Sequence, residues 1–371
     1  MQRVALGWLV LELTDSAFAV GLVSAAGTLP VLLFTLWGGS LANRVNRLRV
    51  VTVLQGFMLL DALALTWLTW SGRATLTWLV VLALAHGVFV AFEIPARQTL
   101  TMDLVGRDDL MNALALNSMT FNVTRVVGPA LAGGLMAVVG PALVFFLNAV
   151  SYLAVLGGLL MVRLDPALVV ASTARRSYRD AFRFILAPGW PQILVILTTT
   201  YTIFAISFLS VLPVYARDAL GTGEVGYGML MSAFGAGAAA GALLQAAMGP
   251  RSIGGGAALM AGLVVGSALL MVSRAPSLGF AVIVLALAGS ALATNAITTN
   301  TMLQTEAPDE IRGHVIGLYA FIVVGLAPLG AMAAGSLSEV FGVRTEAAVA
   351  GFVCLLVTFL MTVRRRRMGL K

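Results

Sequence analysis

Gly38-Gly39-Ser40-Leu41-Ala42-Asn43-Arg44-Val45-Asn46-Arg47-Leu48-Arg49 ends one apolar run and starts the next, setting three arginines within six residues. Upstream, no charged residue occurs from Ala17 to Asn43. Downstream, Asp61 is the sole charge between Arg49 and Arg73. A run of ~20 apolar residues is long enough to cross a bilayer as a helix. Two such runs joined by a short basic loop read as a helical hairpin whose turn faces the cytoplasm, where Lys and Arg accumulate.

The same pattern recurs along the whole chain. Its 371 residues are 60% hydrophobic and 11% charged, and the mean hydropathy is +0.97. A soluble domain carries roughly 25% charged residues, so this chain lacks the charge to cover a water-facing surface. Apolar runs lie near 17–41, 50–71, 76–97, 110–135, 141–163, 191–214, 226–249, 256–273, 277–300, 313–336 and 345–363, and a partial run occupies 1–13. The expected fold is therefore an all-α integral membrane protein of twelve spans, with no room for a sizeable soluble domain.

The loops orient the spans. One set holds Arg44, Arg47, Arg49, Arg97, Arg107, Arg163, Arg175, Arg176, Arg179, Arg183, Arg251, Arg312, Arg364–Arg367 and Lys371, which is 17 of the 23 Lys and Arg residues. The opposite loops hold only Arg73, Arg217, Arg274 and Arg344. The first set is expected in the cytoplasm, with the C-terminus and the segment 164–190. Within that segment Ser177–Leu186 is amphipathic and suited to lie on the membrane surface. The net charge of +7 is thus a topology signal, with no nucleic-acid partner implied. The terminal arginine run anchors the chain and attracts anionic membrane lipid.

Absences exclude several classes. The lone lysine, Lys371, leaves no P-loop lysine, so ATP-driven transport by this chain alone is not expected. His86 and His314 are far apart and form no metal pair; neither a metal nor a cofactor is expected. Cys354 lies in an apolar run and reads as a packing residue. No charged or His-rich cluster of the kind an integral-membrane enzyme needs gathers at one membrane face.

The halves echo each other at an offset near 201 residues. Asp108-Asp109-Leu110 matches Asp309-Glu310-Ile311, and Gly128-Pro129 with Gly133-Gly134 resembles Ala327-Pro328-Leu329-Gly330 and Gly335. Parallel repeats of this kind predict a 1–163 bundle, a 164–190 linker and a 191–371 bundle. The offset also implies that helix 1 begins before residue 1. With Glu12 at the outer mouth, Met1 and Arg3 fall near the bilayer midplane, a costly position. Roughly 10–25 further N-terminal residues are expected on this reading; a short first helix tucked into a cavity is the alternative.

Four stretches carry a family resemblance: Gly39–Arg49; Leu13–Leu22 followed by Leu29-Pro30; Pro95-Ala96-Arg97-Gln98 leading to Leu104-Val105 and Asn112-Ala113; and Ala307–His314. Together they resemble the drug-efflux branch of the major facilitator superfamily that contains macrolide-efflux proteins and the enterobactin exporter. The resemblance covers nearly the whole chain. It implies a monomeric, multi-pass protein of the cytoplasmic (inner) membrane that exports small amphipathic compounds against protons by alternating access. A dedicated siderophore or metabolite exporter, an uptake facilitator and a non-transporting, truncated remnant stand as alternatives.

Two motifs depart from the family. Its acid in the loop between helices 2 and 3 is Asn43 here, which keeps hydrogen bonds but loses the stronger charge-assisted part. The conformational latch would comprise Gly39, Asn43, Arg44, Arg47, Asp108, Asp309 and Arg312. The helix 5 motif Gly128-Pro129 is followed by Ala132-Gly133-Gly134 and still offers close backbone approach.

Polar residues inside the spans are the coupling candidates. Arg125 lies mid-membrane, either in coupling or as a structural tie. Asp61 sits midway along helix 3, where a carboxylate with no neighbouring charge suits a proton carrier. Glu93 forms an i,i+4 pair with Arg97 and lies on helix 4, a cavity helix in this family; His86, two turns earlier, is a relay candidate. Asn148, Asn295, Asn300, Phe121, Tyr201 and Phe204 are candidates for the substrate cavity.

Overall fold

A computed structural model of the chain describes residues 1–42, 46–105, 109–162, 178–249 and 253–370. Every regular element among them is helical. The first helices are α1 (Gln2–Thr14), α2 (Ala17–Ala42), α3 (Arg47–Trp70) and α4 (Leu76–Val105). Then come α5 (Leu110–Met161), the short α6 (Tyr178–Leu186), and α7 (Trp190–Thr200), which runs on as a π-helical turn to Ile206. A single turn, α8 (Leu212–Val214), leads through a second π-helical stretch to α9 (Glu224–Met248). The chain ends with α10 (Gly255–Ser273), α11 (Leu278–Glu306), α12 (Arg312–Gly325), α13 (Ala327–Phe341) and α14 (Val343–Arg367). Among the described residues nine helical stretches are long and apolar enough to cross a membrane, or ten if the bent α6–α7 pair is one span.

The helix boundaries follow local chemistry. Asn46 caps α3, its Oδ1 accepting from the Arg49 amide at 3.1 Å, so the basic loop ends where the next span begins. Gly140, at φ 74°, breaks α5 just before Pro141 and separates the expected 110–135 and 141–163 spans, which otherwise run together. The expected 191–214 span is interrupted at residues 209–211, a turn that follows the π-helical stretch closely. A break at Leu326, with Pro328 in the next turn, divides the expected 313–336 span into α12 and α13. The predicted amphipathic segment is α6, bent 92° from the helix that follows.

Two sets of helices form. In one, α2 and α3 pack on α4, and α3 packs on α5; in the other, α9 and α10 pack on α11, and α10 packs on α14. The sets meet chiefly along α2–α13 and α5–α9. Both seams are built on glycine. A Cβ on Gly21 would stand 2.5 Å from the Ala331 carbonyl oxygen and 2.9 Å from the Gly335 Cα. One on Gly133 would stand 2.6 Å from the Glu224 carbonyl oxygen and 2.8 Å from the Gly228 Cα. Within a membrane, small residues are what lets backbones approach so closely. Outward faces are apolar, and Trp70 and Trp78 are exposed around the α3–α4 turn, as aromatic residues are at a membrane interface.

Candidate functional site

A cavity of about 300 Å³ opens between the two sets. Its wall draws Arg3, Ser24 and His86 from the first set and Ser210, Tyr227 and Ala331 from the second. Most of the lining is aliphatic, with a few polar groups converging on it, as in ligand sites generally.

Beside the cavity a polar network crosses four helical segments. Asp61 on α3 is buried, 5% exposed. Its Oδ2 accepts from Gln2 Nε2 at 3.0 Å and lies 3.2 Å from His86 Nδ1. The Gln2 Oε1 in turn accepts from Asn148 Nδ2 at 2.6 Å. Three residues singled out in the sequence (Asp61, His86 and Asn148) therefore meet, and Gln2 joins them. An isolated glutamine near the start of an apolar run carries no sign of its partners, so sequence reasoning missed it.

Glu93 belongs to a separate pair. Its Oε1 is 2.9 Å from Arg97 Nε, the i,i+4 contact expected, and it also accepts from Gln55 Nε2 at 3.3 Å. Neither Glu93 nor Arg125 lines the cavity. Arg125 is exposed on α5, and its backbone carbonyl faces Gly235 of α9.

Other expected positions lie elsewhere. Tyr201 is 1% exposed and shares a 2.9 Å hydrogen bond with Thr358 in the core. Phe204 packs against that core. Asn295 is buried, with its Nδ2 unpartnered among the described residues. Asn300 accepts from Gln304 at 3.2 Å, one turn along α11. The side chain of Phe121 lies outside the described set. So do Asn43, Arg44 and Asp108 of the expected latch, while Gly39 belongs to the last turns of α2. Arg47 is buried at the start of α3, and Arg312 Nη2 is 2.5 Å from Asp309 Oδ1. In the helix 5 motif Gly133 forms the crossing with Gly228, and the Pro129 carbonyl borders it. Gly128 and Gly134 have open surroundings by comparison.

The end opposite the basic loops is held by polar contacts. Arg217 Nη2 is 2.5 Å from Asp15 Oδ1, and Arg217 Nε is 2.6 Å from Asp218 Oδ1. The bond to Asp218 first, and that to Asp15 after it, hold the guanidinium above its ordinary pKa. Nearby, Glu339 Oε2 accepts from the Ser16 hydroxyl at 3.0 Å and the Phe18 amide at 3.1 Å. A carboxylate from α13 thus satisfies the Phe18 N–H in the first turn of α2, while the Ser16 hydroxyl oxygen accepts from the Ala19 N–H.

A family model for transmembrane secretion effectors matches residues 1–369. The chain belongs to this family. It is a multi-pass membrane transporter of the major facilitator type. The multidrug efflux pump Tap of Mycolicibacterium fortuitum is 27% identical over 352 residues, covering 92% of this chain and 86% of that protein. The enterobactin exporter EntS of Shigella flexneri is 27% identical over 351 residues, covering 94% and 83%. Among solved structures, a bacterial homologue of the human lysosomal transporter spinster, inward-facing and occupied, superposes with TM-score 0.74 at 16% identity, covering 98% of this chain and 94% of that one. A bacterial homologue of ferroportin, also inward-facing, gives 0.73 at 17% identity, covering 97% and 95%. These two establish the fold alone.

Proposed function

We propose that this transporter exports small amphipathic compounds across the cytoplasmic membrane in exchange for protons. One observation carries the reading: a buried carboxylate, Asp61, 3.2 Å from the Nδ1 of His86, which itself lines a cavity between the two helix sets. Protonation there and substrate in the cavity would each bias the same conformational equilibrium, which is the minimum coupling requires. The efflux and exporter names of the relatives support the direction of transport.

On this reading the fold has twelve spans, with bundles 1–163 and 191–371 joined by a 164–190 linker, and works as a monomer. The end bearing Arg47, Arg97 and Arg364–Arg367 faces the cytoplasm by charge, and with it the C-terminus. The contacts of Asp15, Ser16 and Glu339 then close the outer side. On that reading the state is inward-facing, and rocking about the α2–α13 and α5–α9 seams would expose the cavity outward.

The test is retention of a fluorescent dye and a macrolide in efflux-deficient cells expressing the chain, with and without a protonophore. Lower retention that the protonophore abolishes supports proton-linked export. Unchanged retention, with the protein present in the membrane, overturns it.

A further inference from the structure

The charge on the cavity wall is one-sided. Arg3 lines that wall, and it makes no hydrogen bond or ion pair with a described residue. The acids on the neighbouring helices are engaged elsewhere. Asp61 turns to Gln2 and His86 and does not line the cavity. Glu12, on the same helix as Arg3, accepts from Trp8 Nε1 at 2.9 Å, and Glu93 holds Arg97. A guanidinium held inside a membrane protein without a counter-charge calls for an anion.

A second donor stands one helical turn away. Gly7 is four residues after Arg3, on the same face of α1 and about 6 Å along its axis. With no side chain there, the Tyr227 hydroxyl of α9 comes close: a Gly7 Cβ would be 3.5 Å from it. That hydroxyl makes no hydrogen bond with a described residue. The Tyr227 ring is stacked on Trp8 with centroids 6.2 Å apart, so the phenol is held by its ring and its oxygen is left at the cavity. Arg3 belongs to one helix set and Tyr227 to the other, with aliphatic wall around both.

The geometry points to an acidic amphiphile as the substrate class: a carboxylate, sulfonate or phenolate group on an apolar body, its oxyanion bound between Arg3 and the Tyr227 hydroxyl. This rests on the export reading above. Charge-assisted hydrogen bonds to an oxyanion are the stronger kind, and a cationic amphiphile of the same shape would meet Arg3 unfavourably.

The test uses two probes matched in size and opposite in charge, naphthalene-2-sulfonate and N-methylquinolinium, titrated against the purified protein in lipid nanodiscs by calorimetry. The sulfonate should bind at least about tenfold tighter. Arg3→Gln should abolish the preference, Arg3→Lys should keep part of it, and Tyr227→Phe should weaken the sulfonate alone. Equal affinities, a preference for the quinolinium, or a preference that survives Arg3→Gln overturns the assignment. Counterflow of each probe in proteoliposomes separates the two readings. A sulfonate that binds through Arg3 but is not moved defeats export and leaves the acidic-ligand site standing. A quinolinium that binds tighter and is moved defeats the acidic-ligand site and leaves export standing.

Discussion

The imidazole Nδ1 of His86 stands 3.2 Å from the Asp61 carboxylate, joining α4 to α3 at the edge of the cavity. Asp61 is sealed from solvent, whereas His86 reaches the cavity wall, so a proton moving between the two would have a path to water through the histidine. Asp61→Asn should lower proton-linked efflux by at least about tenfold, a change within the usual range of coupling energies. Probe binding should be retained. Substrate-induced proton release from proteoliposomes, read with a pH-sensitive dye, measures this directly. Release that matches the parent chain would exclude Asp61 as the coupling group.

Glu93 should behave differently. Arg97 and Gln55 already satisfy its carboxylate, and it does not line the cavity. Glu93→Gln takes away this charge-assisted bond, while Arg97, whose side chain is 53% exposed, keeps its access to water, so the loss falls modestly on stability and not on coupling. Glu93→Gln should therefore lower thermal stability in detergent, while the ratio of protons released to substrate moved stays that of the parent. A changed ratio with unchanged stability would make Glu93 a coupling residue instead.

Span-by-span reading of the sequence came close to the helices because apolar length and basic loops are local properties. The expected 50–71 run became α3 (Arg47–Trp70), and the amphipathic segment became α6 (Tyr178–Leu186). The site was legible only in part. Asp61 and His86 stand out because ionisable residues are rare in spans, but nothing local indicates that they touch. Gln2, Gln55 and Glu339 gain meaning from partners 38 to 323 residues distant. Arg125 and Arg3 look alike in sequence, as lone arginines in apolar runs. Only helix packing turns Arg3 to the cavity and leaves Arg125 away from it.

The glycine crossings give a steric prediction. Gly335 lies against Gly21, and Gly133 against Gly228, with backbone on both sides and no flexible side chain to give way. Gly335→Val should force α13 away from α2. Overpacking costs about 1–3 kcal/mol, a factor of roughly 5–150 in the balance between closed and open outer ends. In a Cys354→Ala background, a cysteine placed at Ser24 on the cavity wall reports that balance. Its labelling by an impermeant maleimide added from outside should accelerate in Gly335→Val and change little in Gly134→Val, which meets open space.

The polar contacts at the same end should respond to salt, and the crossings should not. Asp15 and Glu339 are exposed, so their bonds to Arg217 and to the start of α2 act through water. Exposed pairs and helix-end charges each contribute about 0.3–1 kcal/mol and weaken with ionic strength. Glu339→Gln should thus raise outside labelling of the Ser24 cysteine about two- to fivefold at low salt. Raising salt from about 0.01 to 1 M, which shortens the screening length from ~30 to ~3 Å, should bring the parent chain toward that variant. The low-salt difference should shrink, while Gly335→Val keeps its full effect, because steric exclusion is not screened. Salt-independent labelling in the parent would mean that glycine packing alone holds the outer end shut.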